Sequence, residues 1–154
     1  MIIKMKILFV CTGNTCRSPM AAAIMNKIAV ENDMNVKADS AGLFAADGEG
    51  ASNEAVEALK RYDIDLSQHK AKPVTETLIS ESDIILTMTE AHKTVLKSVA
   101  PDKVFTVTEY AGEEGDVPDP YGGDLEEYEE TAEEIYDLLT DIAEKIADSE
   151  DEQN

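Results

Sequence analysis

Short, almost wholly apolar runs alternate along this chain with longer stretches whose apolar residues recur at helical spacing. Lys6–Cys11, built on Ile7-Leu8-Phe9-Val10, predicts a first strand. From Ser18 to about Glu31, opening on Pro19-Met20-Ala21-Ala22-Ala23-Ile24, the pattern predicts a first helix. Val36–Ala41 predicts a second strand ended by Gly42, and a small-residue loop through Gly48 and Gly50 follows. Asn53–Tyr62 places Ala55, Val56, Ala58 and Leu59 at helical spacing. Asp83–Met88 predicts a third strand, Glu90–Val99 a helix, and Lys103–Val107 a fourth strand. The last helix is expected from about Leu125 to Ala147, with Leu125, Tyr128, Ile135, Leu138, Leu139, Ile142 and Ile146 on one face. Strands alternating with helices predict an α/β fold: a parallel sheet covered by helices. With no internal repeat and no linker, residues 1–147 read as one domain and the acidic residues 148–154 as a disordered tail.

Composition narrows the function classes. The 154 residues carry 13 basic and 33 acidic side chains, a formal net charge of −20. Such a surface repels nucleic acid and anionic lipid, so neither is expected as a partner. The acidic runs at 124–130 and 148–152 read first as solvated helix faces and a frayed end, and a high-salt cytoplasm would also account for them. No apolar run approaches the roughly 20 residues that span a bilayer. The opening residues Met1-Ile2-Ile3-Lys4-Met5-Lys6 lead into a strand without a signal-peptide pattern. Cys11 and Cys16 are the only cysteines and form no disulfide framework, so a reduced, cytoplasmic setting is expected. The oligomeric state is left open, a monomer being the simplest expectation.

The chemistry concentrates in Cys11-Thr12-Gly13-Asn14-Thr15-Cys16-Arg17-Ser18, at the junction of the first strand and first helix. In an α/β unit, backbone N–H groups and the helix dipole hold a phosphate-like anion at that junction. Gly13 and its short neighbours would let the N–H groups from Thr12 to Ser18 converge on one anion. At a helix N-terminus beside an arginine, Cys11 is placed to react as a thiolate, and Ser18 could donate to its sulfur. Arg17, one of two arginines in the chain, can hold two phosphoryl oxygens in its planar fork. The loop lacks the Gly-Lys-Ser/Thr of a nucleotide cradle, and two cysteines without further ligands make a poor metal site. No cofactor is expected.

A thiolate displacement at phosphorus also needs an acid for the leaving group and a base for the water that follows. Asp119, in Asp116-Val117-Pro118-Asp119-Pro120-Tyr121-Gly122-Gly123, is the candidate, since prolines on both sides stiffen its backbone and exclude helix. Taken alone, an Asp-Pro pair marks a turn more often than a catalytic acid. Tyr121 could wall a pocket or fill the core.

Cys11 to Pro19, Asp39-Ser40-Ala41-Gly42 and Asp119-Pro120-Tyr121 together resemble the low-molecular-weight protein tyrosine phosphatase family, in order and over nearly the whole chain. The resemblance implies a three-layer sandwich with a four-stranded parallel sheet, a phosphate-binding loop after the first strand, and a metal-free cysteinyl-phosphate mechanism acting on phosphorylated proteins. By that resemblance Cys11 is the nucleophile, Arg17 the phosphate clamp, Asp119 the acid and then the base, and Ser18 the thiolate's hydrogen-bond donor. Asn14 matches the residue that shapes the loop, and Ser40 and His69 match its supports; His92 has no counterpart. Cys16 matches a cysteine that can form a reversible disulfide with the nucleophile, although a buried cysteine also serves as simple packing.

Thr12 and Thr15 depart from the leucine and isoleucine usual in the tyrosine-specific members. The loop resembles instead the protein-arginine phosphatase branch, in which threonine at the Thr15 position favours phosphoarginine. A site that hydrogen-bonds a planar, polar guanidinium discriminates better than an apolar slot. Thr15 and Tyr121 are thus the expected specificity residues. Phosphotyrosine is the alternative substrate. Thioredoxin-linked arsenate reduction fits poorly, because no cysteine follows Cys16, and a non-catalytic phosphate-binding or redox module is the remaining reading.

Overall fold

A computed structural model describes residues 5–153; Met1–Lys4 of the expected leader-free start and Asn154 of the expected tail lie outside the described residues. Four strands form one parallel sheet in the order β2-β1-β3-β4: β1 (Met5–Cys11), β2 (Val36–Gly42), β3 (Ile84–Thr87) and β4 (Val104–Thr106). The expected α/β class, four-stranded parallel sheet and flanking helices are all present. β1 is buried on both faces, as a central parallel strand must be. Ile7 and Phe9 pack beneath α1 (Arg17–Glu31), α2 (Asn53–Lys60) and α6 (Leu125–Gln153). Leu8 and Val10 pack on the other face with Val104, with Leu78 and Ile79 of α3 (Glu76–Glu81) and with Leu96 of α4 (Glu90–Lys97). That makes three layers.

Two elements escaped the sequence pattern. α3 is six residues long with no buried residue, so it shows no apolar stripe; its local signal is the Thr75 hydroxyl accepting from the Leu78 N–H. α5 (Val107–Tyr110) is a single turn that starts at Val107, the residue expected to end the fourth strand. A capping box sets this switch, with the Thr106 hydroxyl and the Glu109 carboxylate each accepting from the other's backbone N–H. α6 continues past Ala147 through the acidic residues to Gln153. Its stripe from Tyr128 to Ile146 is buried as the spacing predicts, but Leu125, in the first turn, is 41% exposed. Tyr62 stacks on Tyr136 at 5.0 Å between ring centres, joining the end of α2 to α6. No helix is long and apolar enough to cross a membrane among the described residues.

The strand order places the topological switch between β1 and β3. A crevice at the carboxyl ends of strands opens at such a point, and the loop from Cys11 lies there.

Candidate active site

The loop's backbone is held from outside by its own carbonyls. Those of Cys11 and Thr12 accept from the N–H groups of Leu43 and Phe44 at 3.0 and 2.9 Å, and that of Thr15 accepts from Ser52 N–H at 3.0 Å. The Asn14 carbonyl accepts from His69 Nε2–H at 2.7 Å, which fixes the His69 tautomer. With carbonyls turned outward, the amides face the cleft. α1 begins behind the loop with no side-chain cap and no acidic residue in its first turn, so its first N–H groups stay available to an anion.

The left-handed turn needed to curl the loop falls on Asn14 (φ 57°), not on Gly13. Asparagine tolerates this conformation, and here both ends of its side-chain amide are used. Asn14 Nδ2 donates to Ser18 Oγ at 2.8 Å, and Lys72 N–H donates to Asn14 Oδ1 at 3.0 Å. The glycine that the site requires is Gly42, at the end of β2. A Cβ there would lie 2.6 Å from the Thr12 carbonyl oxygen and 2.9 Å from the Asn14 nitrogen, whereas one at Gly13 would meet nothing closer than 3.8 Å.

Cys11 Sγ lies 2.9 Å from Ser18 Oγ, both buried. Asn14 already fills one lone pair of that hydroxyl, and Ala41 O is a distant acceptor at 3.4 Å. With Cys11 as a thiolate, the sulfur is the nearest acceptor for the Ser18 proton. Arg17, also buried, donates from Nη1 to the Val117 carbonyl at 3.0 Å and pairs through Nη2 with Asp119 Oδ2 at 3.5 Å. The acid-bearing segment is anchored first: Val117 N–H donates to Met88 O at 2.9 Å, and Asp116 Oδ1 accepts from Glu90 N–H at 2.8 Å. Between these ties and the helix cap at Asp124, Asp119 is half-exposed and accepts from Tyr121 N–H at 3.1 Å.

Together these residues enclose a cleft of about 310 Å³, with Cys11, Gly13, Thr15 and Arg17 at its floor and Asp119 and Tyr121 at its rim. Tyr121 is 78% exposed, so it is a wall of the cleft rather than core filler. Cys16 Sγ is buried behind the floor, 3.3 Å from the Tyr128 hydroxyl, and both cysteines are free thiols. Burial first, then the Cys16 thiol, push the Tyr128 phenol up to about 12, so it stays protonated. Ser40 is buried in β2 and its hydroxyl makes no hydrogen bond to the loop among the described residues. No group of three or more His, Cys, Asp or Glu suited to a metal occurs among the described residues.

Three further residues belong to this site and gave no sequence signal. Phe44 (83% exposed) and Glu49 line the rim on the side contributed by the loop after β2. His92, in the first turn of α4, places Nε2 2.9 Å from Thr12 Oγ1. A lone histidine and one carboxylate among 33 carry no motif.

A family model described as low molecular weight phosphotyrosine protein phosphatase matches residues 6–152. The chain is 45% identical over 146 residues to a protein-arginine-phosphatase of Bacillus subtilis (strain 168), covering 92% of this chain and 97% of that protein. It is 40% identical over 141 residues to the low molecular weight protein-tyrosine-phosphatase PtpB of Staphylococcus epidermidis, covering 90% and 96%. A solved structure of the YwlE arginine phosphatase, a cysteine-to-serine mutant with a phosphorylated active-site serine, superposes with a TM-score of 0.89 at 44% identity, covering 93% of this chain and 96% of that one. In sequence and in fold, this chain belongs to the low molecular weight phosphotyrosine protein phosphatase family.

Proposed function

We propose that this chain hydrolyses phosphoarginine on proteins through a cysteinyl-phosphate intermediate, with Cys11, Arg17 and Asp119 as its catalytic residues. The observation that carries the reaction type is their convergence on one cleft, where Arg17 is held by the same segment that bears Asp119. The Cys11 thiolate attacks phosphorus, and the phosphorus–nitrogen bond breaks as Asp119 delivers a proton to the departing guanidine nitrogen. Asp119 then takes a proton from a water that attacks the phosphocysteine, releasing phosphate and restoring the thiolate. Arg17 and the amides from Thr12 to Ser18 carry the charge on the phosphoryl oxygens. Ser18 steadies the sulfur, while Asn14 and His69 hold the loop's shape. Cys16 is the partner we assign to Cys11 for a reversible disulfide. A cytoplasmic setting, a monomer as the simplest assembly, and neither nucleic acid nor membrane as a partner complete this reading.

The preference for arginine is supported by polar groups at the floor and rim. Thr15 offers a hydroxyl where an apolar side chain would suit a phenyl ring, and the carboxylates of Asp119 and Glu49 line the path of a cationic guanidinium. Exposed Phe44 and Tyr121 favour the second reading, phosphotyrosine, since they could sandwich an aromatic ring. Turnover of matched phosphoarginine and phosphotyrosine peptides decides between them. The protein should prefer phosphoarginine, and Thr15→Ile should swing the ratio of kcat/KM toward phosphotyrosine by about tenfold or more. A phosphotyrosine preference in the unaltered protein would overturn the arginine assignment.

A further inference from the structure

His92 is 7% exposed, yet the reaction outlined above makes no use of it. Its place is set twice over. The Thr89 hydroxyl caps α4 by accepting from His92 N–H at 3.2 Å, and Asp116 holds the Glu90 N–H of the same turn. Met88, just before α4, donates its N–H to Val10 O at 3.1 Å, so the start of α4 is fastened to the end of β1. The ring thereby meets the first residue after Cys11: Nε2 is 2.9 Å from Thr12 Oγ1. The other ring nitrogen, Nδ1, is buried and has no hydrogen-bond partner among the described residues.

That asymmetry selects a tautomer. If Nδ1 carried the proton, a buried N–H would be orphaned, an arrangement rarer in folded proteins than an unfilled acceptor. With the proton on Nε2, the ring donates to Thr12 Oγ1, and only the Nδ1 lone pair goes unused. Thr12 lines the cleft, and its hydroxyl, once accepting from His92, has its own proton free. We propose that His92 is a positioning residue of this site: a neutral imidazole whose Nε2–H donates to Thr12 Oγ1 and turns the threonine's proton toward the phosphoryl oxygens of the substrate. Burial and the nearby Arg17 charge hold the imidazole below its ordinary range against the opposing pull of Asp116 and Asp119, so it is neutral at pH 7. Protonation at lower pH would add a buried, unpartnered donor at Nδ1 beside Arg17. The role rests on the proposed phosphatase reading only through what occupies the cleft.

The test combines a spectrum with a double-mutant cycle. In the ¹⁵N-labelled full-length protein at pH 7, the His92 ring should show a protonated Nε2 and a bare Nδ1. His92→Leu and Thr12→Val should each lower kcat/KM about tenfold, as expected for one directed hydrogen bond, and the double variant should lose no more than the worse single one. His92→Gln, which keeps a donor near the Nε2 position but cannot titrate, should hold kcat/KM within about threefold and lose any acid-side inflection owed to His92. A Nδ1–H ring or an imidazolium at pH 7, a His92→Leu effect within twofold, or additive losses in the cycle would each overturn the role. If His92→Leu does not fold, the spectrum and His92→Gln still decide. Running the cycle on both phosphoarginine and phosphotyrosine peptides separates this role from the substrate assignment, since a wrong substrate alters which peptide turns over and leaves the coupling readable. If neither peptide turns over, the phosphatase reading fails while the spectrum still tests the His92–Thr12 bond.

Discussion

The loop from Cys11 to Ser18 and the segment from Asp116 to Gly123 both face the cleft, yet they are built in opposite ways. In the loop, Cys11, Asn14, Cys16, Arg17 and Ser18 are buried, and four outward carbonyls are tied to three neighbouring segments. In the acid segment only Val117 and Pro120 are buried, and Asp119 and Tyr121 stand in solvent. The buried loop meets a phosphoryl group that is the same in every substrate, so it can be rigid. The rim meets whatever bears the phosphate, so its discrimination rests on exposed side chains whose individual contributions are small. Phosphate handling belongs to the loop, whereas the exposed segment supplies the proposed acid and shares the choice of substrate with Thr15.

The comparison can be broken most severely at the residues proposed to react, one in each segment. Cys11→Ser should reduce turnover to background, at least about a thousandfold, while inorganic phosphate still binds by calorimetry. Asp119→Ala should slow turnover about a hundredfold or more and also leave phosphate binding in place, as read by steady-state kinetics. Retained activity in Cys11→Ser would remove the covalent mechanism. Gly42→Ala tests whether rigidity matters without touching a reacting group. The new methyl would press on the Thr12 oxygen and Asn14 nitrogen, and kcat/KM should fall about tenfold or more with a lowered Tm. Unchanged kinetics would mean that the loop tolerates displacement. The smallest effect is expected at a rim carboxylate outside the proposed reacting set. Glu49→Gln should lower kcat/KM for phosphoarginine peptides about threefold, leave phosphotyrosine peptides unaffected, and flatten the salt dependence. An equal loss on both peptides would deny Glu49 a part in selection.

The legibility of the site followed the same division. Cys11, Arg17 and Ser18 could be read because a strand end, a helix start and their spacing are all local. Asp119 could be marked as a candidate because its flanking prolines are local too, and the family resemblance gave it a role. Glycine was misjudged by the same reasoning. Proximity in sequence pointed to Gly13, but the backbone contact that forbids a side chain lies across the β1–β2 ladder at Gly42. His92 and Glu49 were silent because each reaches the cleft from an element distant in sequence, and neither residue type is unusual where it sits. α3 was silent because six residues with no fully buried position leave too short a periodic trace.

By itself, the sequence determined the α/β layering and the strand-to-helix loop, and it marked the residues proposed as nucleophile, clamp and acid, because period, breaker residues and spacing act within a few residues. The tertiary structure decided which side chains surround that loop. The β2-β1-β3-β4 order brings α4 and His92 beneath Thr12, sets Gly42 against the loop's backbone, and ties Val117 to both Met88 and Arg17. Those contacts depend on strand pairing between residues far apart in the chain, for which local hydrophobic pattern holds no record.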